Sequence, residues 1–195
     1  MQPRPTALPE VKIVVPARHG DARGFFAETW QRDRYAAAGI GAEFMQDNYA
    51  HNAAVGTVRG LHFQSMPAWQ TKLVHVPRGR VFAVAVDLRP SSPRFGRHAA
   101  AELGAANGEQ IYVPRGFAFG YCTLEADCGV VYKVDAPYAP ALDRGLAWDD
   151  PALEIPWPVG LTAAILSDKD RRHPRLKDLP RSWLSADAPK GSVPT

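Results

Sequence analysis

Residues 57–76, TVRGLHFQSMPAWQTKLVHV, read as a pair of strands with an unusual amount of ionisable chemistry among apolar residues. The polar side chains that stand in this stretch are Arg59, His62, Gln64, Lys72 and His75. Burying a charged group without a partner is costly. These side chains are therefore either hydrogen-bonded groups of the interior or the lining of a cavity.

Short apolar runs continue from this pair, and turn residues separate them. The runs are KLVHVP (72–77), RVFAVAVDL (80–88), RHAAAEL (97–103), EQIYVP (109–114), FAFGYCTL (117–124) and GVVYKVD (129–135). The chain also holds 16 glycines and 18 prolines, which favour turns. This pattern predicts a mainly β sandwich or barrel, and the lack of helices between the runs disfavours a parallel sheet.

The N-terminal part predicts less regular structure. Residues 1–20 read as an arm with one short strand in VKIVVPA (11–17), and a turn follows at Asp21 to Gly24. TWQRDRYAAAG (29–39) has the composition of a helix, which Gly39 would end.

Near the C-terminus, residues 138–160 read as an irregular, Pro-rich segment packed over the body of the protein. Ser167 and Asp170 resemble a capping box, and Pro174 limits the helix that follows to about two turns. A chain of 195 residues suits one domain with a real core. We expect that domain over residues 1–185 and a flexible tail over residues 186–195.

The charge balance argues against some classes of function. The net charge is only +3 and the basic residues are scattered, so nothing points to nucleic acid. The N-terminus lacks the apolar core of a signal peptide, and no apolar run approaches the roughly 20 residues of a membrane helix. Cys122 and Cys128 flank a turn, where a disulfide is one alternative. Reduced thiols in a cytoplasmic protein without a membrane partner are the favoured interpretation.

The six histidines do not form a recognisable metal motif, because neither an H-x-H pair nor an H-E-x-x-H sequence occurs. We therefore expect no metal. A neutral imidazole such as that of His62 suits general-base chemistry near neutral pH. A base also needs a carboxylate to orient it, and Asp168 and Asp170 are available, but spacing alone pairs neither with His62. A polar group without a catalytic role stays the alternative.

Strand parity places two further groups. Lys72, Val74 and Val76 share one face of their run, so Lys72 points inward if the valines do. The alternative is a lysine at the rim whose ammonium group reaches water. In GVVYKVD, parity puts Tyr132 on the face of Val130, which predicts that Tyr132 lies inside.

Arginines and aromatic residues near turns offer a third set of candidates. Arg23 and Arg59 have the chemistry to hold a phosphate, and Phe25 and Phe26 have the chemistry to stack on a base. Solvated side chains at turns are the alternative interpretation.

Several motifs together resemble the dTDP-4-dehydrorhamnose 3,5-epimerases. RGLHFQ (59–64) looks like the signature of that family. Other pieces match in the same order: DARGFFAETW (21–30), QDN (46–48), VAVDLRPSSPRFG (84–96), IYVPRGFAFGY (111–121), VVYKVDAPYAP (130–140), RGLAWDDPALEIPWP (144–158) and LSDKD (166–170). The resemblance implies a cupin-type jelly-roll sandwich with an N-terminal arm and short flanking helices. It also implies a homodimer that needs neither metal nor organic cofactor.

The resemblance further implies an isomerase that acts on a dTDP-linked 4-keto-6-deoxyhexose, as in rhamnose and deoxysugar supply for polysaccharides. The C4 ketone acidifies the hydrogens at C3 and C5. A base can then form an enolate, and an acid can return a proton to the opposite face. By resemblance, His62 is the base and Asp170 orients it, Lys72 stabilises the enolate oxygen, and Tyr132 is the proton donor.

Substrate contacts are implied at further positions. Arg59 would support the sugar or phosphate end, and Tyr138 would help to cover the nucleotide. The other positions implied in nucleotide binding are Arg23, Phe26, Glu28, Gln46 and Asn48. Part of this set would reach the site across the homodimer, whose subunits exchange an N-terminal strand.

The sequence departs from the family pattern at two predicted cavity positions. Ala83 stands where an aspartate is usual, and Phe119 stands where a histidine is usual. We expect a less polar sugar pocket in consequence. Three alternatives follow: an epimerase that inverts only C3 or C5, a non-catalytic sugar-nucleotide-binding cupin, and a metal-dependent cupin oxygenase. The joint presence of His62, Lys72 and Tyr132 argues against the second, and the lack of metal ligands argues against the third.

Overall fold

Two antiparallel β-sheets face each other in the computed structural model, which describes residues 3–184. The strands are β1 (Arg4–Pro5), β2 (Lys12–Val14), β3 (Arg18–Asp21), β4 (Gly24–Ala27), β5 (Gln46–Asn52), β6 (Val58–Gln64), β7 (Lys72–Arg78), β8 (Arg80–Asp87), β9 (His98–Gly104), β10 (Gln110–Val113), β11 (Phe117–Thr123), β12 (Cys128–Val134) and β13 (Asp143–Gly145). One α-helix, α1 (Arg32–Ala37), accompanies them. Short 3₁₀ turns lie at Pro140–Leu142, Pro151–Leu153, Asp170–Arg172, Leu176–Asp178 and Arg181–Trp183.

The strand order confirms the predicted mainly β sandwich. The first sheet runs β1-β2-β10-β7-β12-β5, and the second runs β13-β6-β11-β8-β9. Strands β3 and β4 form a separate hairpin around the predicted turn at Asp21 to Gly24. Each apolar run picked out in the sequence is a strand, and sequence neighbours such as β7 and β8 lie in opposite sheets.

The main core lies between the two sheets. Its buried residues include Val74, Val76, Ile111 and Val130 from the first sheet, and Ala83, Ala85, Leu103 and Phe117 from the second. Tyr132 packs against this cluster, as strand parity predicted. The alternation of apolar and polar residues along each strand therefore builds the interior in which a cavity can form.

The outer face of the second sheet is covered by the C-terminal segment. Leu61 and Phe63 of β6 pack there against Leu146, Leu153 and Leu179. The prediction of irregular structure over residues 138–160 is wrong at one point, because this segment adds the short strand β13 to β6. A strand of three residues carries too little alternation to be recognised in the sequence.

Helix α1 covers the outer face of the first sheet through Tyr35, which packs with Ile40 against Leu73. Gly39 follows the helix with a φ of 75°, a conformation that favours glycine and ends the helix as predicted. At the other end of the chain, the Ser167 hydroxyl accepts a hydrogen bond from the Asp170 N–H at 3.1 Å. One hydrogen bond of the predicted capping box is therefore present, but the segment that follows is a single 3₁₀ turn and not the predicted helix.

Cys122 and Cys128 are both buried and both free, so the disulfide alternative is wrong. Within residues 3–184, no helix is long and apolar enough to cross a membrane. The predicted tail at residues 186–195 lies outside the described residues.

Candidate active site

A cavity of about 670 Å³ opens between the two sheets. Strands β5, β7 and β12 line it from the first sheet, and β6 and β11 line it from the second. Its size falls within the range of small-molecule and cofactor sites. The predicted site residues that it brings together are Gln46, Asn48, Arg59, His62, Lys72, Phe119, Tyr132, Tyr138 and Asp170.

A β-bulge in β6 brings Arg59 and His62 to the same cavity. Phe119 pairs with His62 and Tyr121 pairs with Arg59, so a three-residue step in β6 opposes a two-residue step in β11. In a regular strand, residues three apart point to opposite faces. Gly60 makes the bulge possible: its φ is 123°, and a Cβ there would lie 2.8 Å from the Gly120 Cα.

His62 is bound to a buried carboxylate. Its Nε2 lies 2.6 Å from Oδ1 of Asp170, whose side chain is only 5% exposed. Burial raises the pKa of Asp170, but hydrogen bonds from His173 and His62 outweigh it and hold that pKa well below its usual value. The carboxylate is therefore ionised. It fixes the His62 ring through Nε2 and leaves Nδ1 as the nitrogen available to a substrate.

His62, Asp170 and His173 are the group of described residues whose ligand atoms lie within 4.8 Å of one another, as a metal site requires. The separations from Asp170 Oδ1 are 2.6 Å to His62 and 3.2 Å to His173. Neighbouring ligands of a tetrahedral zinc ion, each at about 2.0 Å, lie roughly 3.3 Å apart. The shorter separation is that of a hydrogen bond, so the cluster is organised for holding protons.

Lys72 points into the cavity, which decides between the two interpretations of this residue. Its ammonium group donates to Gln70 Oε1 at 2.8 Å and lies 5.9 Å from the centroid of the Tyr132 ring. Burial lowers the pKa of Lys72 to about 8, although Asp135 and Asp143 act in the opposite direction. A cation with few water neighbours interacts strongly with any negative charge that forms beside it.

Tyr132 reaches the same cavity from β12. Burial raises the pKa of its phenol, Arg59 partly offsets that increase, and Asp143 adds to it. The phenol is therefore protonated at neutral pH and has a proton to give. Tyr121 also lines the cavity, and the sequence reasoning did not single it out. Its hydroxyl lies 3.2 Å from Asn52 Oδ1, the same oxygen that accepts from Arg59 Nε at 2.8 Å.

Alternate residues of β5 face the cavity at its other end. Gln46 Nε2 donates to Asn48 Oδ1 at 2.8 Å, and Gln46 Oε1 accepts from the Tyr138 N–H at 3.3 Å. Within residues 3–184, the buried Nδ2 of Asn48 has no hydrogen-bond partner. A buried donor without a partner is costly, so this amide is suited to receive a ligand oxygen.

Three predicted binding residues do not line the cavity of their own chain. Arg23 forms an ion pair with Asp21, Phe26 is 71% exposed, and Glu28 lies 3.2 Å from Arg34. All three lie on or next to the β3–β4 hairpin, which is not part of either large sheet.

The two departures from the family pattern lie in different places. Both belong to the main core, but Phe119 also lines the cavity and is 7% exposed, whereas Ala83 is fully buried and does not line it. Of the pair, Phe119 is thus the one that makes the cavity wall less polar.

His173 is the clearest residue that the sequence reasoning missed. It contacts Asp170 from three residues along the chain, and its side chain is only 8% exposed. The sequence signal for this contact is that His173 stands three residues after the candidate carboxylate Asp170, a spacing at which two side chains can meet. A turn exposed to solvent does not itself require a histidine.

Comparisons with known proteins match most of the chain to one family. The family model for dTDP-4-dehydrorhamnose 3,5-epimerase matches residues 5–178. The enzyme of that name from Sinorhizobium fredii is 48% identical over 181 residues, which cover 91% of this chain and 90% of the relative. The one from Shigella flexneri is 43% identical over 166 residues, covering 85% and 90%.

A solved structure is similar over the whole sandwich. It is the dTDP-6-deoxy-D-glucose-3,5-epimerase of Legionella pneumophila in complex with dTDP-4-keto-L-rhamnose. It matches with a TM-score of 0.89 and 39% identity, covering 94% of this chain and 96% of that one.

Proposed function

Because the chain belongs to the dTDP-4-dehydrorhamnose 3,5-epimerase family, it is an isomerase, and we propose that it inverts C3 and C5 of a dTDP-linked 4-keto-6-deoxyhexose with the residues of its cavity. One observation carries the proposal. A carboxylate-bound imidazole, a half-buried ammonium group and a half-buried phenol line the same cavity, with His62 on one sheet and Lys72 and Tyr132 on the other.

Proton abstraction is assigned to His62. Its Nδ1 would take the hydrogen from the carbon next to the C4 ketone, and the electron pair would move to the C4 oxygen. Asp170 holds the ring at 2.6 Å and stabilises the imidazolium that forms. The carboxylate stays ionised in this step, since its own pKa is well below the usual value.

Stabilisation of the enolate is assigned to Lys72. A preorganised cation in a site with little water stabilises a developing oxyanion without having to reorganise. The lowered pKa of Lys72 also reflects the cost of holding an ammonium group there. A role in catalysis explains why that cost is tolerated.

Reprotonation is assigned to Tyr132. Its phenol would give a proton to the face opposite His62, and the carbon would be inverted. The protonated His62 then releases its proton to water and the Tyr132 phenolate takes one up, after which the same two steps at the second carbon next to the ketone complete the double epimerisation.

The nucleotide is assigned to the end of the cavity formed by Gln46, Asn48 and Tyr138, with Arg59 toward the sugar or phosphate. We place Arg23, Phe26 and Glu28 in the site of a partner subunit, in a homodimer that exchanges its N-terminal strand. The exposure of Phe26 and its place in a hairpin that is not part of either large sheet support this assignment, because an exposed aromatic hairpin is suited to a partner.

The test is proton exchange in D₂O with dTDP-4-keto-6-deoxy-D-glucose as the substrate. We expect deuterium at both C3 and C5 and formation of the doubly inverted sugar. His62→Asn is the matched control, since it keeps a hydrogen-bonding side chain of similar shape but cannot accept the proton. Deuterium at only one of the two carbons would show that the enzyme is an epimerase acting at a single centre. Tight binding without any exchange would contradict catalysis altogether.

A further inference from the structure

One carboxylate oxygen of Asp170 lies within hydrogen-bond distance of two imidazole rings. Asp170 Oδ1 lies 2.6 Å from His62 Nε2 and 3.2 Å from His173 Nε2. The two rings are 5.6 Å apart and meet edge to face at 82°. Only the first of these histidines is partly open to the cavity, with 36% of its side chain exposed against 8% for the second.

The space for His173 is made by a glycine. A Cβ on Gly145 would lie 2.2 to 2.4 Å from the Nε2, Cε1 and Cδ2 atoms of the His173 ring. Gly145 belongs to β13, where it pairs directly with His62 of β6. Strand β13, which lies next to the proposed base His62, thus has no side chain at the point where the His173 ring reaches the Asp170 carboxylate.

We propose that His173 is a positioning residue, which donates a hydrogen bond to the Asp170 carboxylate and stabilises part of its negative charge. In this way His173 sets the pH range in which His62 works as a base. The inference rests on the proposed function of the same site. His173 does not line the cavity, so any effect on the substrate passes through Asp170.

The direction of the effect follows from hydrogen bonding. A donor on a carboxylate oxygen stabilises its negative charge and weakens the attraction of that oxygen for a second donor. With His173 in place, Asp170 favours the protonated form of His62 less strongly. Without His173, the negative charge of the Asp170 carboxylate interacts with His62 alone. His62 then keeps its proton up to a higher pH.

Other titratable groups of the described residues surround the pair without forming an ion pair with Asp170. They are Asp168, Lys169, Arg171 and Arg172 on or next to the turn, Arg175 beyond it, Asp143 and Arg144 on β13, Arg59 on β6, and Lys72 with Tyr132 across the cavity. Lys169 is paired with Asp143, and Arg59 donates to Asn52. The side chains that act on the pKa of Asp170 are the two histidines.

The test compares His173→Ala with His173→Gln, whose amide nitrogen matches the position of Nε2 and donates without titrating. In His173→Ala, kcat at the optimum should fall about 10-fold and KM should stay within about 2-fold, since groups that orient a functional histidine matter to this extent. The acidic limb of the kcat profile should also move to higher pH. His173→Gln should restore both kcat and the position of that limb.

Gly145→Ala is an independent variant, because the new methyl group displaces the His173 ring without removing it. It should move the acidic limb in the same direction as His173→Ala, and it decides the matter if that variant does not fold. A loss of kcat that is equal at every pH would show a structural role and overturn the proposal, as would an unchanged profile.

A second measurement does not depend on turnover. The ¹⁵N resonances of the His62 ring should change at a higher pH in His173→Ala than in the unmodified protein, with His173→Gln close to the latter. Identical titrations would overturn the proposed coupling. If the titration of His62 differs between His173→Ala and the unmodified protein, but the unmodified protein shows no exchange in D₂O, the proposed function fails and the coupling through Asp170 stands.

Discussion

The Lys72 ammonium nitrogen lies 5.9 Å from the centroid of the Tyr132 ring, on the side of the cavity formed by the first sheet. The two residues come from neighbouring strands, where Tyr132 pairs with Val74 and Lys72 pairs with Val134. His62 comes from the opposite sheet. The sandwich therefore places an imidazole on one wall of the cavity and an ammonium group and a phenol on the other, which is the arrangement that the proposed inversion requires.

Lys72 should give the reaction a basic limb. Its pKa of about 8 means that the ammonium group is present below that pH and is lost as the pH rises through it. Enolate stabilisation, and with it kcat, should fall over the same interval. Lys72→Met should lower kcat by about 100-fold, in line with the loss of one oxyanion-stabilising group.

Lys72→Arg is the matched control, because a guanidinium group stays protonated throughout the accessible range. The residual activity of this variant should lack the basic limb. The measurement is kcat from pH 6 to pH 10. A limb near pH 8 that survives in Lys72→Arg would assign it to another group.

Asp87 should be important for stability and not for chemistry. It is fully buried and accepts hydrogen bonds from Arg89 Nε at 2.9 Å and Ser92 Oγ at 2.6 Å. Asp87→Asn removes the buried carboxylate from Arg89, which keeps its ion pair with Glu10 at 2.9 Å, and breaking a buried pair costs about 3 to 5 kcal/mol. Urea unfolding should show that loss, while kcat of the folded enzyme stays unchanged.

The pH dependence of this contribution has a definite sign. Burial raises the pKa of Asp87, but hydrogen bonds from Arg89 and Ser92 outweigh it and lower the pKa below its ordinary value of 3.8. The contribution to stability is complete above that ordinary value and is lost as the pH falls through the lowered one. Asp149→Asn, at an exposed position, is the control and should change stability by less than about 0.5 kcal/mol.

The exposed hairpin should act on a partner's site. Phe26→Ala should raise KM about 10-fold with little change in kcat, since stacking on a nucleobase contributes on the order of 1 to 3 kcal/mol. Mixing Phe26→Ala subunits with His62→Asn subunits is the decisive measurement. If Phe26 acts across the dimer, half of the sites in mixed dimers regain both residues and the low KM returns. If it acts within its own chain, mixing restores nothing.

The sequence predicts the parts of the site that depend on strand period alone. Alternation in two runs predicts that Tyr132 lies inside, because the sandwich buries one face of each strand, and it leaves Lys72 either on the same inner face as Val74 or at the rim. Arg59 and His62 could not be placed together in this way, since a bulge changes the parity between them. The contact of Asp170 with His62 depends on how the C-terminal segment folds back over β6, and packing between residues so far apart in the chain leaves no local periodic signal.

Tyr132→Phe separates the two proton transfers. Phenylalanine fills the space of the ring and keeps the packing against the core, so the variant loses only the hydroxyl. His62 can still remove a proton and return deuterium from D₂O to the same face, which gives exchange without inversion. Net inversion should therefore fall by about 100-fold or more, while exchange into recovered substrate stays within about 10-fold. Tyr121→Phe is the control, because this cavity tyrosine is bonded to Asn52 and should affect both rates little. If inversion and exchange fall together in Tyr132→Phe, the acid is a different group, because only a proton donor on the opposite face separates the two rates.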